Sequence, residues 1–469
     1  MSNSESMNIR KKLPLLIVLL SGAFVTILNQ TLLGTALPPI MNDLNLSGST
    51  AQWLQSIFML VNGIMIPVTA FLIDKFTTRK LFLTAMGLFT LGTFICAIAP
   101  SFSVLMAGRV LQASGAGIMM PLMQTILFLS FPINRRGTAM GLFGLIIAFA
   151  PAIGPSLSGF LVDQFPWRSV FIVVLPIAVL DIIAAYFLLK NVTELKNPKV
   201  DVVSIILSTL GFGGILYGFS VAGDSGWLSW QVLLPVIGGG LVLYFFITRQ
   251  LRLKEPLLEF RVFQNNTFSL ATALGMVVFA AMIGTNVILP LYMQNMIGFS
   301  ALESGLVLLP GAIIMGFSNP ITGYLFDRFG GKWLARIGMF VLTVTTFGFT
   351  DLSTETNFSY LATMHALRMM SISMVMMPMT TLALNQLPND LIPHGTAVNN
   401  TFRQVSGAIG TAILVTVMSI AAIPSEGVEG SIHGVNISFI VAGVASLLGC
   451  ILSFRLKEDV KPGDAIREK

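Results

Sequence analysis

The sequence predicts an all-α protein that crosses a membrane many times. Three observations carry that expectation: the scarcity of charge, a series of long apolar runs, and the one-sided distribution of lysine and arginine. Of 469 residues, 54% are hydrophobic and 10% are charged, where a soluble domain carries about 25% charged residues. So few charges cannot cover a water-exposed surface, and lipid is the expected solvent. Two cysteines, Cys96 and Cys450, lie inside apolar runs and read as packing residues rather than a disulfide or a metal pair.

A membrane-spanning helix needs about 20 mostly apolar residues. Runs of that kind occupy residues 13–39, 51–73, 81–99, 103–131, 137–162, 168–189, 201–222, 230–248, 267–291, 302–325, 334–350, 357–385, 394–422 and 434–454, fourteen in all. The first follows a basic patch (Arg10, Lys11, Lys12) and runs well past the length of a signal-peptide core, so it reads as an uncleaved first helix.

The positive-inside rule checks the count independently. With the N-terminus in the cytoplasm, cytoplasmic segments hold 23 of the 27 lysines and arginines, and the outside loops hold only Arg168. The other three, Arg109, Arg368 and Arg403, fall within helices. Both termini are therefore expected inside. The +6 net charge belongs to this asymmetry and does not signal nucleic acid.

Two cytoplasmic turns share a phrase: "AFLIDKFTTRK" at 70–80 and "GYLFDRFGGK" at 323–332. The second helix maps onto the tenth if two six-helix bundles are separated by two extra helices. The expected organisation is a cytoplasmic N-terminus (1–12), an N-terminal bundle (13–190), two linker helices (201–250), a C-terminal bundle (267–455) and a cytoplasmic tail (456–469). Internal repeats of this sort mark secondary transporters, whose halves rock about a midplane site.

In these motifs the chain resembles the major facilitator superfamily, specifically the fourteen-helix drug:proton antiporters of the EmrB/QacA type, and it looks most like the lincomycin-resistance permeases. The loop motif G-x-L-x-D-R-x-G-x-K is complete at Gly323, Leu325, Asp327, Arg328, Gly330 and Lys332. The first copy keeps Leu72, Asp74, Lys75, Arg79 and Lys80, with Ala70 and Thr77 where glycines are usual. A carboxylate at a helix end can dock on the positive N-terminus of a neighbouring helix, with a basic residue holding the pair. Asp74, Arg79, Asp327, Arg328 and Lys332 are thus the expected cytoplasmic gate.

"GRVLQASGAG" (108–117) resembles the family's fourth-helix motif, with Arg109 and Gln112 on one face; the resemblance ties Arg109 to proton coupling, while a snorkelling arginine is the plainer reading. "APAIGPSLSG" (150–159) resembles the fifth-helix exporter motif. There Ala150, Gly154 and Ser158 form a small-residue ridge for helix packing, and Pro151 and Pro155 permit bending. Gly154, Pro155 and Gly159 are its expected packing residues.

The first helix departs from the family. It reads "LNQTLLGTALP", with Asn29 where the family often has an aspartate, and an amide does not carry a proton at physiological pH. Asp181, the one carboxylate deep in a predicted span, is then either the proton carrier or a structural acid. Glu303, at the outer end of the tenth helix, is a second candidate or merely interfacial. Asn29, Gln30, Gln112, His365, Arg368, Asn399 and Arg403 are expected to line the substrate cavity. Seven methionines between 364 and 379 suit either a cavity for varied apolar ligands or ordinary packing.

No phosphate-binding G-x-x-x-x-G-K-[ST] loop is present, and the loops carry no metal-ligand spacing. Neither ATP use, nor an enzyme, nor a metal or cofactor is expected. The implied function is a monomeric, multi-pass exporter in the cell membrane that exchanges protons for varied hydrophobic or amphipathic drug-like molecules. The alternative is export of an endogenous metabolite or signalling molecule, with drug efflux incidental.

Overall fold

A computed structural model describes the backbone of residues 2–193, 195, 196 and 198–457. The side chains of Arg10, Lys11 and Lys12 and the tail beyond Lys457 lie outside what is described. The described chain is helical throughout, without a strand. Its α-helices are α1 (Ser2–Leu44), α2 (Gly48–Lys75), α3 (Thr78–Ala97), α4 (Phe102–Ser130), α5 (Arg136–Gln164), α6 (Ser169–Ile172), α7 (Val174–Leu188), α8 (Val202–Ser225) and α9 (Trp230–Arg252). There follow α10 (Asn266–Asn295), α11 (Ala301–Phe329), α12 (Gly331–Phe347), α13 (Phe358–Asn385), α14 (Ile392–Ala421) and α15 (Gly427–Ser453).

Thirteen spans are long and apolar enough to cross a membrane, with α6 and α7 joined as one. The fourteenth predicted run, 334–350, is α12, whose 17 residues sit at the lower limit for a span. It starts early because Gly330, at φ 81°, ends α11 and opens α12 at once. Several helices also outrun their apolar cores into the charged turns: α9 reaches Arg252 and α11 reaches Phe329. Helix α5 is continuous through Pro151 and Pro155.

Helices α1 to α5 and α7 pack on one another, and α10 to α15 do the same. The two groups meet along two seams, α5 against α11 and α2 against α14. Helices α8 and α9 form a hairpin outside this bundle, and α8 leans on both α2 and α14. Tyr217 stacks on Trp53 of α2 with ring centroids 5.8 Å apart, and the indole N–H of Trp227, just past α8, donates to Thr416 of α14. Helix α9 is mostly exposed, presenting Leu234, Ile237, Leu241 and Phe245 outward, whereas α13 is mostly buried. That contrast is what lipid on one side and protein on the other would select.

Candidate functional site

The two copies of the loop motif end α2 and α11 on the same side of the bundle, facing the first turns of α14 and α5. Asp327 accepts hydrogen bonds from the backbone N–H groups of Gly137 and Thr138, each at 2.7 Å, and from the Thr138 hydroxyl at 2.6 Å. It thus caps the N-terminus of α5 from the opposite half, where unpaired N–H groups and the helix dipole favour a carboxylate. Gly137 is needed for this approach: a Cβ there would lie 2.5 Å from Asp327 Oδ1 and 2.5 Å from the Gly323 carbonyl oxygen.

Asp74 is buried but held differently. Lys196 Nζ donates to its Oδ2 at 3.1 Å, and the His394 ring, in the first turn of α14, meets the same oxygen through Nε2 at 3.2 Å. The motif's basic residues do not reach either aspartate. Arg79 lies over the Tyr186 ring (4.4 Å) and Arg328 over Phe329 (5.2 Å). No described hydrogen bond or ion pair places Lys332 on a carboxylate.

Further bonds tie the halves together on this side. Arg136 donates to Asn385 and Asn389, each at 3.1 Å; Asn319 donates to the Gly144 carbonyl at 2.9 Å; Asn400 donates to Gln124 at 2.6 Å. All described hydrogen bonds between α1–α7 and α10–α15 fall in this half of the bundle. The bonded part of the α5–α11 seam ends at Phe149 and Phe317, which meet edge to face at 5.5 Å. Beyond them no described hydrogen bond joins α5 to α11.

Inside the first half, Arg109 is fully buried. Its guanidinium donates to Asn29 Oδ1 (3.2 Å), Gln112 Oε1 (3.0 Å) and the Leu54 carbonyl (3.1 Å), and lies over the Phe58 ring (4.3 Å). Gln112 in turn donates to Thr93 at 2.8 Å. Arg109 Nη2 and Asn29 Nδ2 are buried without a partner, and no carboxylate touches the group. Gln30, next along α1, is only half-buried.

Asp181 is elsewhere. Buried between α7 and α1, it accepts from the Ser21 hydroxyl, while its Oδ2 has no partner. Ser21 lies eight residues before Asn29, about 12 Å along α1 at 1.5 Å per residue, so Arg109 and Asp181 belong to separate polar sites. Glu303 is placed at the start of α11, exposed, where it completes a capping box with Ser300.

In the second half, Arg368 is fully buried, donating to Thr346 and to the Ala281 carbonyl. His365, one turn away, packs its ring against Gly311 of α11. Asn399 donates to Thr272 at 3.3 Å, and Arg403 lies over the Phe279 ring at 5.0 Å with two guanidinium nitrogens unpartnered. In α5, Ser158 donates to the Leu32 carbonyl at 2.6 Å, and a Cβ on Gly154 would collide with Thr31. Pro155 is exposed and Gly159 faces open space. Among the described residues no group of three or more His, Cys, Asp or Glu side chains is placed to hold a metal.

The described hydrogen bonds between the two groups of helices gather at the end that carries the paired aspartates, and a sequence model of the Major Facilitator Superfamily matches residues 19–411. The chain belongs to the major facilitator superfamily. It is 54% identical over 450 residues, 95% of each chain, to the uncharacterized MFS-type transporter YcnB of Bacillus subtilis (strain 168). It is 40% identical to the lincomycin resistance protein LmrB of the same organism, covering 95% of this chain and 96% of that one. A crystal structure of the human organic anion transporter MFSD10 superposes with a TM-score of 0.70 at 14% identity, over 94% of this chain and 99% of that one. That last likeness speaks for the fold alone.

As a facilitator, the chain is a multi-pass membrane transporter. Its halves meet through residues that the loop motif does not contain: Gly137 and Thr138 opposite Asp327, and His394 opposite Asp74. The signal for them is in the sequence. "RGTA" (136–139) opens α5 and "HGTA" (394–397) opens α14, a second duplicated phrase at corresponding places in the two halves.

Proposed function

We propose that this transporter is a proton-coupled antiporter that exports structurally varied hydrophobic or amphipathic drugs across the cytoplasmic membrane, with both termini in the cytoplasm and a single chain as the working unit. The one observation that carries an alternating-access cycle is the one-ended closure. Hydrogen bonds join the halves at the end bearing Asp74 and Asp327, and none is described between them at the other. With that end in the cytoplasm, the structure corresponds to an outward-facing state, and the two aspartates form the gate that must open for loading. The drug class rests on the relative named for lincomycin resistance.

The energies are compatible. Hydrogen bonds to a charged group contribute about 1.5–3 kcal/mol each. One proton crossing a total gradient of about 200 mV releases about 4.6 kcal/mol, comparable to about two or three such bonds. Asp181 is the proposed proton carrier, since Asn29 leaves Arg109 without an acidic partner and Glu303 is committed to capping α11.

A deletion strain tests the substrate class. It should become sensitive to hydrophobic antibiotics and recover on complementation. Unchanged susceptibility, together with loss of one compound from the culture medium, would make the chain an exporter of an endogenous molecule instead.

A further inference from the structure

The two motif copies occupy corresponding places in the two halves but are held differently. Asp327 rests on α5 alone, through bonds from Gly137 and Thr138. Asp74 is met by His394, while the Thr396 hydroxyl, the counterpart of Thr138, is buried without a partner. Its other contact, Lys196, belongs to the segment joining α7 to α8. Lys196 donates its backbone N–H to the Asp74 carbonyl (3.0 Å) and its Nζ to Asp74 Oδ2 (3.1 Å) and to the Asp390 carbonyl (2.8 Å) in the second half.

The segment on the other side of the hairpin, joining α9 to α10, reaches the same carboxylate. The Glu259 N–H donates to His394 Nδ1 at 3.3 Å. An imidazole that accepts at Nδ1 and is neutral carries its proton on Nε2, and there it donates to Asp74. The ring therefore uses both nitrogens, one toward the hairpin's linker and one toward the gate.

The linker is anchored in turn to the base of the hairpin. Gln250 of α9 accepts from Leu257 N–H (2.7 Å) and donates to Ser204 of α8 (2.6 Å). Arg249 pairs with Asp201, the N-cap of α8, at 3.0 Å. A path of hydrogen bonds and the short backbone stretch from Leu257 to Glu259 thus runs from the foot of α8–α9 through His394 to Asp74, and the other linker closes the loop through Lys196.

We infer that His394 is a positioning residue of the gate that ties the α8–α9 hairpin to Asp74, so that the hairpin sets the strength of this latch and not of the one at Asp327. The hairpin acts as a brace on one of two gate contacts. The inference rests on the proposed gate at this end.

The test is spin-label distance measurement between Lys80→Cys and Arg455→Cys, both exposed at the motif end, in a background with Cys96 and Cys450 replaced by serine, in nanodiscs. His394→Gln keeps a donor at the Nε2 position for Asp74 and places no acceptor at the Nδ1 position that the Glu259 N–H meets. Glu259→Pro removes the donor itself at a φ of −83°, close to what proline takes. Arg249→Gln loosens the hairpin's foot far from the gate. Each variant should lower the closed-to-open ratio by roughly three- to tenfold, the effect of one lost hydrogen bond. Their effects should be non-additive with Asp74→Asn and additive with Asp327→Asn.

Closed-to-open ratios within twofold of wild type in Glu259→Pro and His394→Gln, beside a shifted Asp74→Asn, overturn the brace and leave the gate standing. Additivity with Asp74→Asn also overturns it. An unshifted Asp74→Asn and Asp327→Asn would sink the gate and the brace together. Should Glu259→Pro fail to yield monodisperse protein, His394→Gln and Arg249→Gln decide the same question.

Discussion

Asp327 sits 2.7 Å from the backbone N–H of Gly137, a residue 190 positions away in the other half of the molecule. The contact joins a helix end to a helix beginning across the α5–α11 seam, and it can exist only while that end is closed. Asp327→Asn faces an amide toward two N–H donors and removes the charge. The closed state should lose about 1.5–3 kcal/mol, a ten- to hundredfold shift toward opening. Gly137→Ala should act alike through its clash with Asp327 Oδ1. Interdomain distances and efflux rates measure both, and unaltered distances in Asp327→Asn would remove the latch.

Asn29→Asp should stabilise the protein. Arg109 is buried, bonded only to neutral groups, with Nη2 unpartnered. A carboxylate at Asn29 Oδ1, 3.2 Å from Nη1, supplies the missing counter-charge. A buried pair with good geometry outweighs an uncompensated buried charge by a few kcal/mol. The melting temperature in detergent should rise, and a fall would show that Arg109 finds its counter-charge elsewhere.

Gly154→Ala and Gly159→Ala form a matched pair. At Gly154 the new methyl collides with Thr31 of α1; at Gly159 nothing lies within 4 Å. The first should destabilise by about 1–3 kcal/mol through overpacking, and the second should be neutral. Thermal unfolding of both distinguishes a packed ridge from a merely glycine-rich helix.

Topology has its own check. With Cys96 and Cys450 replaced, a single cysteine at Ser425 should label from outside intact cells, and one at Asn134 should not. Labelling at Asn134 would reverse the orientation on which the outward-facing assignment depends.

What was legible in the sequence was whatever depends on local composition. Apolar runs located the thirteen long spans and the shorter α12, because a helix in lipid must be apolar along its whole length. The duplicated loop phrase pointed to Asp74 and Asp327, because a motif is local. Their partners were not legible in this way. Gly137 and Thr138 are small and uncharged, and His394 lies 320 residues from Asp74, so no periodicity links them. Arg79, expected beside Asp74, stacks on Tyr186 instead, since an arginine can satisfy itself on an aromatic face. Lys196 and Glu259 lie in linkers whose sequence looks like simple connection, and only the folded seam gives them a role. Asp181 was visible by depth, but its separation from Arg109 followed from how far apart along α1 their partners Ser21 and Asn29 lie.

Coupling is the claim on which the account turns, and Asp181 tests it most directly. Its carboxylate takes one bond from Ser21 and leaves Oδ2 unpartnered in the interior of the first half, and the proposed function assigns it the proton. Asp181→Asn keeps the shape and the Ser21 contact but cannot take up or release that proton. The measurement is substrate transport in proteoliposomes under an imposed pH gradient, beside substrate binding at equilibrium. Binding should persist, and uphill efflux driven by the gradient should be lost. Full gradient-driven efflux by Asp181→Asn would contradict the account and show that this aspartate is structural.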